Sequence, residues 1–125
     1  MEITSSVDCA VKILICLATS GGYVPASTLA DYAECSKRRL LQTASKLRLA
    51  GLVAVRHGAG GGYKLVLAPQ EISILDIFRI FSARPRRRQA QPDCFAKLEQ
   101  KYADFAGVFE QELGSVTIAD VLPAA

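Results

Sequence analysis

The side chains best suited to bind a charged partner lie in one segment of the chain. Residues 37–64 carry seven Lys or Arg side chains and no acidic one, although the formal net charge of the 125-residue chain is only +3. A concentrated positive field favours a polyanion as partner. The alternatives are a solvated basic face without a partner, or a basic protein-interaction module that binds acidic proteins.

The four cysteines have no regular spacing, which is typical of a reducing compartment rather than of a secreted disulfide framework. We interpret Cys16 and Cys35 as small buried hydrophobic residues. No Ser/His/Asp or Cys/His arrangement is visible, and the glycines at 58–62 lack the Lys-Ser/Thr of a phosphate-binding loop. The chain is therefore not expected to be an enzyme, and no metal or other cofactor is predicted.

Cys94 is a candidate redox sensor. It begins a predicted helix after a loop with four arginines, and both a helix N-terminus and nearby cations favour a reactive thiolate. The adjacent Asp93 opposes deprotonation, so an inert thiol is the alternative.

Three predicted helices position the basic segment. From Ser5 to Thr19 apolar residues recur at the three- and four-residue steps of an amphipathic helix: Val7, Ala10, Val11, Leu14, Ile15 and Ala18. A second helix follows Pro25 and ends near Ala33, with Ser27 as predicted N-cap. Ser36 is predicted to cap a third, basic helix, which Gly51 closes. Two helices joined by about three residues, the second one basic, indicate a helix-turn-helix.

Two strand-like runs, residues 52–57 and 63–68, flank the glycines and predict an antiparallel hairpin. A helix-turn-helix followed by a hairpin is the winged helix arrangement. Ser73 then caps a predicted helix to Phe81, and a long helix runs from about Cys94 to Leu113. The apolar stripe of the long helix includes Leu98, Tyr102, Phe105 and Phe109. We expect this stripe to pack against a second copy in a homodimer; the alternative is packing over the first helix.

The predicted fold class is mainly α with a small β-hairpin, a winged helix-turn-helix plus a long C-terminal dimerisation helix. Residues 1–82 form the expected DNA-binding domain, 83–93 a basic loop, and 94–125 the dimerisation helix and C-terminal segment, together one compact unit. No apolar run is long enough to span a bilayer, and the N-terminus lacks the basic region of a signal peptide. A cytoplasmic protein without membrane contact is expected.

Three segments carry a family resemblance: Ser-Thr-Leu-Ala at 27–30, Lys-Leu-Arg-Leu-Ala-Gly-Leu-Val at 46–53, and Gly-Gly-Gly-Tyr-Lys-Leu at 60–65. In this order they resemble the Rrf2 family of bacterial transcription regulators. The resemblance implies a dimeric winged-helix protein that binds double-stranded DNA, usually a repressor, and that responds to a small-molecule or redox effector.

The chain departs from its better-known relatives at their iron–sulfur site. Those relatives hold a cluster with three cysteines before the long helix, whereas only Cys94 lies in the matching segment here. A cluster needs about four ligands, so none is expected. The resemblance also makes Asp8 a candidate sensor residue, because some relatives use an aspartate at that place as a metal ligand from the other subunit. In such a dimer, Cys94 of one subunit would approach Asp8 and its neighbour Cys9 of the other. The alternative is an ordinary first-turn acid that stabilises the helix dipole.

The winged-helix arrangement assigns roles to the basic residues. The residues predicted to face base edges in the major groove are Arg38, Arg39, Gln42 and Ser45, since Arg pairs with guanine and Gln with adenine. Ser27 and Thr28 are predicted to bind a phosphate. Arg56, His57 and Lys64 flank the wing glycines and would lie at the minor groove. The resulting hypothesis is a sequence-specific transcription regulator; a cysteine-based redox sensor of the same fold is the alternative.

Overall fold

A computed structural model describes residues 5–81 and 93–123 of the chain. The helices are α1 (Ser5–Ser20), α2 (Ala26–Ala33), α3 (Lys37–Leu49), α4 (Ile74–Phe81) and α5 (Asp93–Leu113). The strands are β1 (Val53–Arg56) and β2 (Gly62–Leu65), and single 3-10 turns lie at Pro69–Glu71 and Ala119–Val121. The order of elements agrees with the sequence prediction, and the helix boundaries lie within one residue or so of the predicted ones.

Helix α1 is the centre of the core, because it contacts α2, α3, α4 and β2. A helix with neighbours on so many sides buries more than one stripe of side chains. Ile13 and Leu17, which lie outside the apolar pattern named in the sequence, are therefore buried as well. Val11, Ile15 and Ala18 belong to that pattern and are only half-buried.

The helix-turn-helix is formed by α2 and α3, which are joined by residues 34–36. Ser36 caps α3 as predicted: its hydroxyl oxygen accepts a hydrogen bond from the backbone N–H of Arg39 at 3.1 Å. The prediction that Ser27 caps α2 was wrong. Pro25 occupies that position, with φ −61° and ψ 150°, and Ser27 lies inside the first turn. Proline has no side-chain acceptor, so the first backbone N–H groups of α2 receive no side-chain cap.

The wing is a two-stranded antiparallel hairpin in which Val53 pairs with Leu65 and Arg56 with Gly62. Both strands are shorter than the predicted runs, since pairing stops at Leu65. Tyr63 also forms an isolated bridge with Val24, through N–H···O bonds of 2.8 and 2.9 Å in the two directions. The wing is thereby attached to the backbone that leads into α2.

The segment after α5 returns to the start of α4. Ser73 and Asp76 cap α4 reciprocally, each side chain accepting from the other's backbone N–H at 3.1 Å. Ser73 also forms a bridge with Thr117, and Ile72 and Ile118 are both fully buried beside it. The C-terminal segment thus completes the core of the winged helix.

Among the described residues, none of the helices is both long and apolar enough to cross a membrane. The predicted basic loop at 83–93 lies outside the described residues except for Asp93, at which α5 begins. The proposed division of the chain into three segments stays a prediction.

Candidate nucleic-acid interface

Helix α3 separates an apolar side from a cationic one. Leu40, Ala44 and Leu47, the three residues predicted to face inward, have no exposed surface, and Thr43 is buried with them. The remaining surface carries five cations and no acid within the 13 residues of the helix. Cationic side chains that cannot pair within their own helix remain available to a polyanion.

The residues predicted to read bases are all exposed, but they do not have equal freedom. Arg38, Gln42 and Ser45 lie on the exposed side of α3. The guanidinium of Arg39, by contrast, donates a hydrogen bond to the hydroxyl of Ser5 at the start of α1. Of the two arginines, Arg38 is therefore the better candidate for a base contact, and Arg39 joins α3 to α1.

The first turn of α2 contributes a second part of the surface. Ser27 and Thr28 are exposed there, as a phosphate contact requires. The first backbone N–H groups of a helix have no partner within the helix, so this end carries partial positive charge. The structure thus places two hydroxyls beside donors suited to an anion.

Tyr23 holds the cations of the wing. The guanidinium of Arg56 lies 4.5 Å from the centre of the Tyr23 ring, and the ammonium of Lys64 lies 5.7 Å from it. Cation–π interactions of this kind are worth about 0.5–1 kcal/mol at exposed sites. Tyr23 lies three residues before Ala26, at which α2 begins, so the two wing cations are held on the segment that leads into α2.

Two wing glycines are required by close backbone contacts. A Cβ on Gly62 would overlap the carbonyl oxygen of Val24, and Gly62 has φ +146°, where other residues are strained. A Cβ on Gly61 would overlap the carbonyl oxygen of Arg56. The glycines therefore let the hairpin close on itself and approach Val24. His57 follows β1 and is exposed at the start of the glycine loop.

Sequence reasoning missed Tyr23 as a part of this surface, and it missed the buried Val24 as the backbone link to the wing. Tyr23 follows two glycines after α1 and belongs to no periodic pattern. Tyr23 reaches the wing cations because the next residue, Val24, forms a bridge with Tyr63, which lies 39 residues later in the chain. The sequence signal for this bridge was Tyr63, which follows the three wing glycines and forms the bridge with its backbone.

The cysteines do not fit an iron–sulfur cluster within one chain. Cys9 and Cys16 are buried in α1, Cys35 lies in the turn before α3, and Cys94 is exposed on α5. In the described part of the chain, no three His, Cys, Asp or Glu side chains come together as metal ligands. Asp8 instead forms an ion pair with Lys12 at 2.9 Å, and this carboxylate raises the pKa of the Lys12 ammonium.

Among the residues that the structure describes, helix α5 packs mainly against one element. It contacts α4, where Glu110 pairs with Arg79 at 3.4 Å, and its described side chains before Leu113 are exposed. Leu98 is 46% and Val108 66% exposed. The side chains of Tyr102, Phe105 and Phe109, the other members of the predicted stripe, lie outside the described ones.

Comparison with known proteins gives one family. The family model described as "Rrf2: Iron-dependent Transcriptional regulator" matches residues 3–124. The HTH-type transcriptional regulator IscR of Aliivibrio salmonicida is 41% identical over 76 residues, which are 59% of this chain and 45% of that protein. The chain spans about half the length of the curated relatives it matches.

Solved structures have the same fold. The structure titled T. potens IscR superposes with a TM-score of 0.75 at 26% identity, covering 96% of this chain and 85% of the other. CymR, described as the global cysteine regulator of B. subtilis, superposes with a TM-score of 0.71 at 27% identity, covering 97% and 95%. These likenesses confirm the predicted fold class.

Proposed function

Because the chain belongs to the Rrf2 family of transcriptional regulators, we propose that it binds specific sites on double-stranded DNA and regulates transcription in the cytoplasm. One observation supports the proposal most strongly: the same winged helix presents an exposed, cationic side of α3 without acidic residues and, on its wing, two cations held over Tyr23. A helix in the major groove with a wing at the adjacent minor groove requires this combination.

Each part of the surface has a separate task in this proposal. Arg38 and Gln42 pair with base edges, and Ser45 supports them from the next turn of α3. Ser27 and Thr28 hold a phosphate and set the register of α3 on the duplex. Arg56, His57 and Lys64 bind the minor groove or its phosphates. Arg39 contributes charge and holds α3 to Ser5.

The protein acts as a homodimer in this proposal, with the predicted apolar stripe of α5 as the interface. Two features support it: Leu98 is exposed on a helix whose main neighbour in the described part of the chain is α4, and closed two-fold dimers are the commonest assembly among soluble homo-oligomers. The two α3 helices would then read the two halves of a pseudo-palindromic site.

Repression is the mode of regulation we propose, by occupation of a site that RNA polymerase needs. A reporter gene placed behind the selected DNA site tests this mode. Expression should fall when the protein is produced and should recover with Arg38→Ala. Higher expression in the presence of the wild-type protein would mean activation instead.

The experiment that tests DNA binding begins with selection of bound duplexes from a random pool. Affinity for the selected and a scrambled duplex is then measured at several salt concentrations. We expect Arg38→Ala to weaken binding to the selected duplex by about 1–3 kcal/mol and to change binding to the scrambled duplex much less. Arg39→Ala is the matched control, and it should reduce the preference for the selected duplex less than Arg38→Ala does.

Two results would contradict the proposal. Absence of any enriched sequence together with salt-independent binding would exclude a DNA-binding regulator, since phosphate contacts release counterions. Equal losses on both duplexes from Arg38→Ala would assign Arg38 to a phosphate instead of a base.

A further inference from the structure

Two cysteines that are distant in the sequence lie in contact at the helix-turn-helix. The thiol of Cys9 on α1 donates a hydrogen bond to the sulfur of Cys35, with 3.4 Å between the two Sγ atoms. Cys9 is 2% exposed, whereas Cys35 is half-buried in the turn between α2 and α3. Neither the DNA interface nor the dimer interface proposed above uses this pair.

The pair is open to small molecules from one side. Both cysteines line a depression of about 310 Å³ whose polar rim includes Asp8, Lys12, Glu34 and Arg39. Two cations and two carboxylates thus line the depression, and the more exposed thiol is that of Cys35. A peroxide can approach Cys35 without unfolding of α1.

We infer that Cys9 and Cys35 form a redox-active dithiol that hydroperoxides oxidise to an intrachain disulfide joining α1 to the turn before α3. A disulfide requires the two sulfur atoms at about 2.05 Å. Closing the gap from 3.4 Å needs a change in side-chain torsion and a small movement of the turn. If the two thiols served only to fill the core, neither the depression beside them nor the partial exposure of Cys35 would be needed.

The reaction proceeds in two balanced steps. The Cys35 thiolate attacks one oxygen of the hydroperoxide, the O–O bond breaks, and the departing oxygen takes up a proton, leaving Cys35 as a sulfenic acid. The Cys9 sulfur then loses its proton and attacks the Cys35 sulfur, and hydroxide leaves as water with that proton. Two thiols are oxidised and one hydroperoxide is reduced to an alcohol and water, or to two waters from hydrogen peroxide.

This order of attack agrees with the surroundings of the two sulfurs. Burial raises the pKa of the Cys9 thiol to about 11, and the hydrogen bond to Cys35 adds to the shift. Cys9 is thus a poor first nucleophile and a well-placed second one. A glutathione-type thiol would reverse the reaction by thiol–disulfide exchange.

The bond has a consequence for DNA binding that rests on the function proposed above. Cys35 is followed directly by Ser36, the N-cap of α3, so a displacement of Cys35 is passed to the helix start that carries Arg38. We expect the oxidised protein to bind its selected duplex about tenfold more weakly, within the usual range of such couplings.

The test treats the intact protein with one equivalent of hydrogen peroxide. Mass spectrometry should show the loss of two hydrogen atoms per chain, and peptide fragmentation should join Cys9 to Cys35. Dithiothreitol should restore the mass. Cys94→Ser is the matched control and should form the same bond, while Cys35→Ser and Cys9→Ala should not form it.

The possible results separate the disulfide, its effect on DNA binding and the proposed function. If the oxidised wild type yields no peptide that joins Cys9 to Cys35, the proposed dithiol is wrong, whatever the DNA affinity of the protein. If the joined peptide forms but the DNA affinity of the oxidised protein is unchanged, the disulfide does not regulate DNA binding. A reduced protein that binds no DNA refutes the proposed function, while the peptide data still decide on the disulfide. If Cys9→Ala fails to fold, Cys35→Ser alone serves as the negative variant, since Cys35 is only half-buried.

Discussion

At the scale of single residues, Tyr23 determines where the wing cations lie. Its ring contacts both Arg56 and Lys64, on the segment that leads into α2. We expect Tyr23→Leu to weaken binding to selected and scrambled duplexes alike, by about 0.5–1 kcal/mol for each of the two cation–π interactions that it removes. Tyr23→Phe keeps the ring face and should bind like the wild type. Fluorescence anisotropy titrations measure both, and an effect confined to the selected duplex would instead indicate a base contact by Tyr23.

The four thiols should differ in reactivity at neutral pH in the reduced protein. Cys94 is exposed and should be alkylated first, whereas Cys9 should be alkylated last. The pKa of Cys9 is raised to about 11, so its thiol stays protonated below that pH and the reactive thiolate appears only as the pH rises toward it. Limiting iodoacetamide followed by peptide mass spectrometry measures the order, and urea-unfolded protein is the control.

That experiment also tests Cys94 as a redox sensor, which stays a prediction. If Cys94 in the folded protein reacts no faster than in unfolded protein, the proposed activation by the helix N-terminus is wrong. Early alkylation of Cys9 would contradict its burial.

At the scale of elements, the wing depends on its close approach to the strand-like backbone before α2. In Gly62→Ala, the new Cβ meets the Val24 carbonyl at a backbone φ that alanine rarely adopts. We expect a decrease of about 1–3 kcal/mol in the free energy of unfolding, the usual cost of a strained backbone position. Urea denaturation measures this decrease, and amide exchange at the Val24 N–H reports on the bridge to Tyr63.

Gly60→Ala is the matched control for that change. Gly60 also has a positive φ, +74°, but no atom lies within 4 Å of the Cβ position. It should therefore cost less than Gly62→Ala and leave exchange at Val24 unchanged. Equal effects of both substitutions would show that backbone strain, rather than contact with Val24, makes Gly62 necessary.

At the scale of the whole molecule, α5 is expected to join two copies. Phe105→Glu together with Phe109→Glu places two charges in the predicted apolar stripe and should give monomers with weaker DNA binding, because the two half-sites are no longer bound together. The matched control is Gln100→Glu with Gln111→Glu, which adds the same charge at two exposed residues on the opposite side of the helix. Light scattering measures the mass of each variant. A dimeric Phe variant would place the interface elsewhere.

The sequence by itself determined the order of elements and the main caps. Ser36 before Arg39 and Ser73 before Asp76 are local patterns, and a capping bond joins residues three apart, so no distant contact is needed to form it. The inner side of α3 was predictable for the same reason, because helical spacing alone separates Leu40, Ala44 and Leu47 from the cations.

Only the tertiary structure decided which distant residues meet. The contact of Cys9 with Cys35, the stacking of Tyr23 on the wing cations and the bond from Arg39 to Ser5 join segments 26 to 41 residues apart. Such contacts depend on how α1 packs against the helix-turn-helix and on where the wing folds back. Periodicity and spacing describe one element at a time, and so they assigned Cys35 to simple packing where the fold places it beside a second thiol.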